Sequence, residues 1–219
     1  MEHDFWHDRW QSNQLGFHQA AANERLTIFW PQLQLAAGAT VLVPLCGKSL
    51  DMLWLTAKGH KIVGVELSQI AVDAFFEENN LAATKETFGD FTVSRSDQIE
   101  IWCGDFFKLE PSLLASVDAV YDRGSLVALP ADMRSDYCAK LRSDLSATAK
   151  MLLALVEYDQ NEMNGPPFAI SNQYINDQYA DRFSINQVFN LEISDFPDRY
   201  RRRGLTWMRD TAYILGPKQ

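Results

Sequence analysis

The chain has 219 residues, a formal charge of −9 and a pI of about 4.9. A chain this acidic lacks the basic face that general nucleic-acid binding requires, so no nucleic-acid partner is expected. Apolar residues make up 47% of the chain, enough for a sizeable core. No stretch approaches the ~18 apolar residues of a membrane span, so no membrane partner is expected either.

The three cysteines, Cys46, Cys103 and Cys138, have neither CxxC nor zinc-like spacing. Their number is odd and the chain is too long to need disulfide staples, which favours reduced thiols in the cytoplasm. His3 and His7 lie four residues apart, but no third ligand follows at a recognisable spacing, so no metal site is predicted. The first residues carry acidic side chains and no apolar signal region. We therefore expect a cytoplasmic protein, and nothing in the sequence demands more than a monomer.

Residues 1–38 are predicted to form a helical extension of the single domain 1–219. A short helix is expected over Asp4–Gln11 and a second over Asn23–Leu35, with Asn23 as its N-cap.

Trp6 and Trp10 are four residues apart and share a face of the first predicted helix, and Phe17 follows soon after. These aromatic side chains either pack on the core or form a lid that excludes water from a ligand. In the second case Trp10 and Phe17 are the expected ligand contacts.

Strands and helices alternate across residues 39–219. The predicted strands are Val41–Leu45, Ile62–Glu66, Ile99–Cys103, Ala119–Tyr121, Met151–Glu157, Ile185–Ile193 and Leu205–Ile214. The predicted helices between them are Ser49–Lys58, Gln69–Asn79, Ala131–Leu145 and Ser171–Tyr179. Continuous apolar strands are typical of a sheet covered on both faces, and the last two strands suit an antiparallel edge pair. A polar stretch at 87–98 is expected to form a hairpin insertion. The fold class is α/β, a doubly wound Rossmann-like core.

The first predicted strand leads through a tight turn into a helix, and the second strand ends at Glu66. This order places a ligand over the strand ends, with the backbone of Leu45 and Gly47 close to it and Glu66 accepting from a ribose diol. Dinucleotide sites carry two or three glycines in this turn, whereas only Gly47 occurs here. The expected ligand is a nucleoside without a pyrophosphate, with S-adenosylmethionine as the first candidate. Alternatively, Glu66 is a solvated glutamate at a strand end.

Acidic and basic side chains also follow the next two predicted strands. Asp105 and Phe106 could flank an adenine, with the carboxylate accepting from the amine and the ring covering a face; the alternative is a helix cap followed by a core phenylalanine. Asp122 and Arg123 come after the fourth strand, where Arg123 would face an anionic acceptor or the cofactor carboxylate. The alternative there is a structural Asp–Arg pair. Arg199 belongs to a basic cluster that could contribute to an anionic-substrate site.

Several of these segments, in this order, resemble the thiopurine S-methyltransferases, and especially their bacterial members. The resemblance runs from Trp6–Trp10 and Gly16–Gln19 to the final strand. Its most specific segments are Val43–Lys48, Gly59–His60, Val63–Ser68, Tyr121–Gly124 with Leu126–Ala128, and Gly165–Phe168. The resemblance implies the seven-stranded fold of S-adenosylmethionine-dependent methyltransferases, with S-adenosylhomocysteine as product.

The resemblance also implies residue roles. Cofactor contacts would come from Trp10, Leu45, Glu66 and Arg123, with Asp105 and Phe106 at the adenine and Phe17 and Arg199 near the acceptor. The acceptor would be a thiopurine or another small thiol, with a detoxification role that extends to selenium and tellurium oxyanions (tellurite resistance). Methyl transfer would be an in-line displacement by sulfur, for which positioning matters more than base catalysis. Asp122 would orient Arg123 or accept a proton.

Three alternatives remain open. The chain could bind S-adenosylmethionine with little turnover, or it could methylate another small molecule. A dinucleotide oxidoreductase shares the sheet but is disfavoured by the single glycine at the turn.

Overall fold

The computed structural model describes residues 3–12, 14, 16 and 18–218, which form a nine-stranded β-sheet with helices against both faces. The strands are β1 Thr40–Val43, β2 Lys61–Glu66, β3 Thr84–Phe88, β4 Phe91–Ser96, β5 Ile99–Cys103, β6 Ala119–Arg123, β7 Lys150–Glu157, β8 Phe183–Ile193 and β9 Met208–Pro217. The α-helices are α1 His3–Gln11, α2 Glu24–Phe29, α3 Asp51–Ala57, α4 Gln69–Glu78, α5 Pro111–Ala115, α6 Ala131–Asp144, α7 Asn172–Tyr179 and α8 Asp198–Arg201. Short 3-10 helices cover Trp30–Leu33, Phe106–Lys108 and Leu126–Ala128.

The strand order is β3-β4-β5-β2-β1-β6-β7-β9-β8. The five central strands, from β5 to β7, run parallel. Strand β9 lies antiparallel between β7 and the edge strand β8, as the sequence predicted. The carboxyl ends of β2, β1 and β6 therefore meet at one edge of the sheet, where ligands bind in open α/β sheets.

The predicted hairpin insertion is confirmed, and it also extends the central sheet. Strands β3 and β4 pair antiparallel across a turn at Gly89 and Asp90, and β4 pairs with β5. The sheet is thereby wider by two strands than the predicted seven-stranded core.

The central strands bury apolar side chains on both faces. Along β1, Leu42 packs into one cluster, while Val41 and Val43 pack into the cluster on the opposite face. Successive side chains of a strand point to opposite faces, so a strand covered on both sides must be apolar throughout. Fully burying each such side chain contributes about 1.5–3 kcal/mol.

The second helix is shorter than predicted. Asn23 caps it as expected, with its side chain accepting a hydrogen bond from the Arg25 amide at 2.9 Å. The α-helix ends at Phe29 and continues as a 3-10 turn, because Pro31 has no N–H to donate. Among the described helices none is long and apolar enough to cross a membrane.

Candidate functional site

A cavity of about 360 Å³ opens above the carboxyl ends of the central strands. Its size is that of a small-molecule site. Six of the ten predicted site residues line it: Trp10, Leu45, Gly47, Glu66, Arg123 and Arg199. Side chains of α1 and of the segment before α2 form part of the wall, which brings the N-terminal extension over the strand ends as the lid hypothesis requires.

The turn after β1 brings backbone close to the cavity. Both Leu45 (φ +43°) and Gly47 (φ +53°) adopt left-handed conformations, which few residues other than glycine favour. A Cβ atom on Gly47 would lie 3.2 Å from Trp10 Cζ2. Glycine at this position therefore permits both the conformation and the close approach of the indole ring.

Replacing Gly47 with alanine is expected to destabilise the fold by about 2 kcal/mol, from the left-handed backbone and the Trp10 contact together. Gly38→Ala is the matched control, because Gly38 also has a positive φ (+78°) but would meet no atom within 4 Å. Gly38→Ala should lower the free energy of unfolding by only about 1 kcal/mol. Urea denaturation measures both free energies of unfolding, and equal losses would show that the indole contact contributes nothing.

Glu66 ends β2 with a carboxylate held by the backbone. Oε2 accepts from the Gly47 amide and Oε1 from the Ser68 amide, both at 2.8 Å. Burial raises the pKa of Glu66, although these hydrogen bonds oppose the shift. Each carboxylate oxygen has a second lone pair, so the group can also accept from a ligand in the cavity. Ser68 is the N-cap residue of α4, but its buried hydroxyl has no hydrogen-bond partner among the described residues.

Arg123 is fixed by a carboxylate that the sequence analysis missed. Its Nε donates to Asp51 Oδ2 at 2.9 Å, and its Nη2 donates to Ser49 Oγ at 3.3 Å. Asp51 is 1% exposed and also accepts from the Tyr121 hydroxyl at 3.1 Å. The partners lie some seventy residues apart along the chain, so no local pattern indicates the pair.

The prediction that Asp122 orients Arg123 is wrong. The two side chains are adjacent on β6 and point to opposite faces of the sheet. Asp122 is fully buried beneath α6, where it accepts from the Tyr137 hydroxyl at 2.7 Å and from the Ser125 and Leu126 amides at 3.2 Å. It is not among the described residues that line the cavity, so its geometry gives it no access to an acceptor proton.

Burial also raises the pKa of Asp122 above its usual 3.8, which gives a prediction about stability and pH. As the pH rises above 3.8, the folded protein keeps this proton longer than the unfolded chain, so the contribution of Asp122 to stability falls. The stability of the wild type relative to Asp122→Asn should therefore decline from acid to neutral pH. Urea denaturation of both proteins at several pH values measures this trend.

Asp144 provides a control of opposite sign. Burial raises the pKa of its carboxyl group, but hydrogen bonds from Lys140 and Ser143 outweigh that effect and lower the pKa. The stability of the wild type relative to Asp144→Asn should thus rise with pH. If both substitutions gave the same trend, the assignment to Asp122 would fail.

Asp105 and Phe106 correspond more closely to the structural alternative. Asp105 accepts from the Phe107 amide at 2.9 Å and caps the 3-10 helix. The Phe106 ring is 4% exposed, packs against Tyr137 with ring centroids 5.0 Å apart, and is not among the described residues that line the cavity. A contact of Asp105 or of this backbone with adenine stays a prediction. Phe17 lies outside the described residues.

The cavity wall is rich in cations. Besides Arg123 and Arg199, it includes Arg9, Arg25 and Lys48. Only Arg199, with its neighbouring arginines, was visible as a basic cluster in the sequence.

Two further residues at the cavity titrate unusually. Burial, followed by the charge of Lys48, lowers the pKa of His18. Burial, and to a lesser extent the negative charge of Glu66, raise the pKa of Cys46 well above its usual range, so this thiol stays protonated. Across the described part of the chain, no group of three His, Cys, Asp or Glu side chains could hold a metal ion.

Comparisons with known proteins identify the family of this chain. The model of the thiopurine S-methyltransferase family matches residues 1–218. A thiopurine S-methyltransferase of Pseudomonas entomophila is 45% identical over 98% of this chain and 99% of its own length. One from Pseudomonas putida GB-1 is 47% identical over 97% of this chain and 98% of its own length.

Solved structures agree in fold. The Burkholderia thailandensis 1,6-didemethyltoxoflavin-N1-methyltransferase, solved with S-adenosylhomocysteine, has a TM-score of 0.65 at 15% identity and covers 99% of this chain and 87% of its own. A methyltransferase of Anabaena variabilis has a TM-score of 0.64 at 13% identity, and the match covers 99% of this chain and 95% of its own. The predicted fold and the predicted use of S-adenosylmethionine are thereby confirmed. The chain belongs to the thiopurine S-methyltransferase family and is an S-adenosylmethionine-dependent methyltransferase.

Proposed function

We propose that the protein transfers the methyl group of S-adenosylmethionine to the sulfur of thiopurines and other small aromatic or heterocyclic thiols. The observation that carries this proposal is the cationic cavity wall, with Arg9, Arg123 and Arg199, in a chain whose net charge is −9. Guanidinium groups favour an anionic acceptor. Aromatic thiols supply one, because they ionise more readily than cysteine, whose pKa is about 8.5.

The residues around the turn after β1 fit the cofactor. The buried Glu66 carboxylate is the acceptor proposed for the ribose hydroxyls, Gly47 permits close approach of backbone, and Trp10 covers that backbone. S-adenosylmethionine, when bound, supplies an electrophilic methyl group on a sulfonium that needs no acid to leave. The protein therefore has to bind, orient and exclude water rather than move many protons.

Arg123 and Arg199 are proposed to hold the acceptor sulfur or its ring as an anion. Arg123 is the better ordered of the two, because Asp51 and Ser49 fix one edge of its guanidinium. Arg199 is itself exposed and is anchored more weakly, by a 3.1 Å hydrogen bond to the Tyr200 hydroxyl and a cation–π contact with the Tyr200 ring. This difference suits a rigid cation at the reacting end and an adaptable one that accommodates acceptors of different shape.

The cellular part of the proposal extends beyond the site. We place the protein in the cytoplasm as a monomer that acts on small molecules and not on nucleic acid. Its physiological acceptors are proposed to be small thiols or selenium and tellurium oxyanion metabolites, in a detoxification role that includes resistance to tellurite.

An acceptor screen with methyl-labelled S-adenosylmethionine tests the proposed reaction. Thiopurines, aromatic thiols and chalcogen oxyanions are offered beside the matched phenols and anilines, which keep the ring but lack the sulfur. We expect labelled S-methyl product from the thiols, with one equivalent of S-adenosylhomocysteine, and none from the oxygen and nitrogen analogues. Binding of S-adenosylmethionine without transfer to any thiol would instead indicate a binding protein, and transfer to the analogues would indicate a different acceptor class.

A further inference from the structure

The buried carboxylate of Asp51 links Arg123, at the cavity, to the N-terminal extension. Asp51 Oδ2 accepts from Arg123 Nε at 2.9 Å, while Oδ1 accepts from the backbone amide of Asn23 at 2.7 Å. Asn23 is the N-cap of α2 and itself lines the cavity. The same side chain thus holds the guanidinium and the point at which the extension leaves the core.

A second set of contacts, close to Asn23 in sequence, also fastens the start of α2 to the core. Two residues further on, Arg25 donates from Nε and Nη2 to Asp210 Oδ2 at 3.0 and 2.8 Å, and its guanidinium stacks 3.8 Å above the Phe189 ring. The chain is therefore fastened at positions 23 and 25. The preceding segment, which includes Trp6, Trp10 and His18, reaches over the cavity from this anchor.

The arrangement also decides which way Arg123 points. An arginine has five N–H donors, and two of those of Arg123 are used by Asp51 and Ser49. The remaining edge is free to face the cavity that Arg123 lines. By contrast, Arg9 and Arg199 make no ion pair with any carboxylate that the structure describes. Because Asp51 is 1% exposed, little water competes for its bonds.

We propose that Asp51 is a positioning residue that holds both the Arg123 guanidinium and the N-terminal extension, which forms a lid over the cavity. Arg123 is then correctly oriented toward the methyl acceptor only when this extension is docked. This inference rests on the proposed methyl transfer to a thiol. Asp51 touches neither ligand in this scheme, and acts through the Arg123 guanidinium and the Asn23 amide.

Asp51→Asn tests the proposal. The amide keeps the size of the side chain but loses the charge that holds Arg123, so kcat/KM for an aromatic thiol should fall roughly 10- to 100-fold. Asp118→Asn is the matched control, because Asp118 likewise accepts a backbone amide, that of Thr40 at 2.8 Å, but lies at the opposite ends of the strands. It should change kcat/KM less than about twofold.

Two readouts separate positioning from general damage. First, the loss caused by Asp51→Asn should shrink severalfold when Arg123 is already lysine, since the planar guanidinium that Asp51 orients is gone. Second, amide hydrogen exchange at Asn23 should accelerate at least about tenfold in Asp51→Asn and not in Asp118→Asn. Wild-type kcat/KM in Asp51→Asn, or full additivity with Arg123→Lys, would overturn the proposal.

Asn23 provides a second pair of variants in case Asp51→Asn does not fold. Asn23→Pro removes the N–H that Asp51 accepts, and the native φ of −64° suits proline. Asn23→Ala removes only the side-chain cap. The proline variant should lose at least about threefold more kcat/KM than the alanine variant, and equal losses would count against the coupling. If the wild type methylates no thiol, the proposed function fails, whereas hydrogen exchange at Asn23 in Asp51→Asn still decides whether Asp51 anchors the lid.

Discussion

Replacing Glu66 with glutamine is expected to weaken binding of S-adenosylmethionine by roughly 10- to 100-fold, the effect of losing a hydrogen bond to a charged group. Both carboxylate oxygens accept backbone amides, from Gly47 and Ser68. A glutamine must turn its NH₂ toward one of these donors, which leaves that amide unpaired and removes an anionic acceptor for the ribose. Isothermal titration calorimetry with S-adenosylmethionine and S-adenosylhomocysteine measures the change.

Glu100→Gln is the matched control for this experiment. Glu100 is a partly buried glutamate on the neighbouring strand β5, but its carboxylate binds Arg95 and Trp102 away from the cavity. Its replacement should leave cofactor affinity unchanged. An unchanged dissociation constant in Glu66→Gln, with the fold intact by circular dichroism, would reject the ribose role.

Arg123→Lys should reduce kcat with an aromatic thiol by roughly 10- to 100-fold while changing cofactor affinity much less. Lysine keeps the positive charge but has no planar fork. Its single ammonium cannot bind Asp51 and Ser49 along one edge and still present a second edge to the cavity. Initial-rate kinetics with both substrates varied separates kcat from the two KM values.

The corresponding control is Arg95→Lys. Arg95 forms comparable ion pairs, with Glu86 and Glu100, in the hairpin at the far edge of the sheet. That variant should turn over like the wild type. Wild-type turnover in Arg123→Lys would mean that charge alone suffices and that the guanidinium geometry has no positioning role.

Much of the fold was predictable because the strand segments are recognisable as apolar runs in the sequence. Buried runs such as Val41–Leu45 and Ile62–Glu66 are apolar on both faces, and only a covered parallel sheet requires that. Local chemistry also predicted the turn at Gly47, the cap at Asn23 and a hairpin near residues 87–98. Each of these features depends on neighbours in the chain.

The missed features depend on distant partners or on strand geometry. The bond between Asp51 and Arg123 joins residues far apart in sequence, and no spacing rule reports it. The orientation of Asp122 follows from a local rule, because adjacent residues of a strand face opposite ways and Asp122 therefore cannot share the site of Arg123. For Phe106 the sequence offered a core position only as an alternative, because its packing against Tyr137 is a contact across the fold.

Strand β6 shows what that alternation means for the chemistry. Asp122 lies opposite Leu153 and Arg123 opposite Ala154 in the parallel pairing with β7. A shift of this pairing by one residue would exchange the two faces, turning a carboxylate toward the ligand and a guanidinium into the apolar side beneath α6. The sign of the charge that meets the acceptor is therefore encoded in the register of the sheet. An insertion or deletion within β6 should abolish turnover even if every side chain named here were retained.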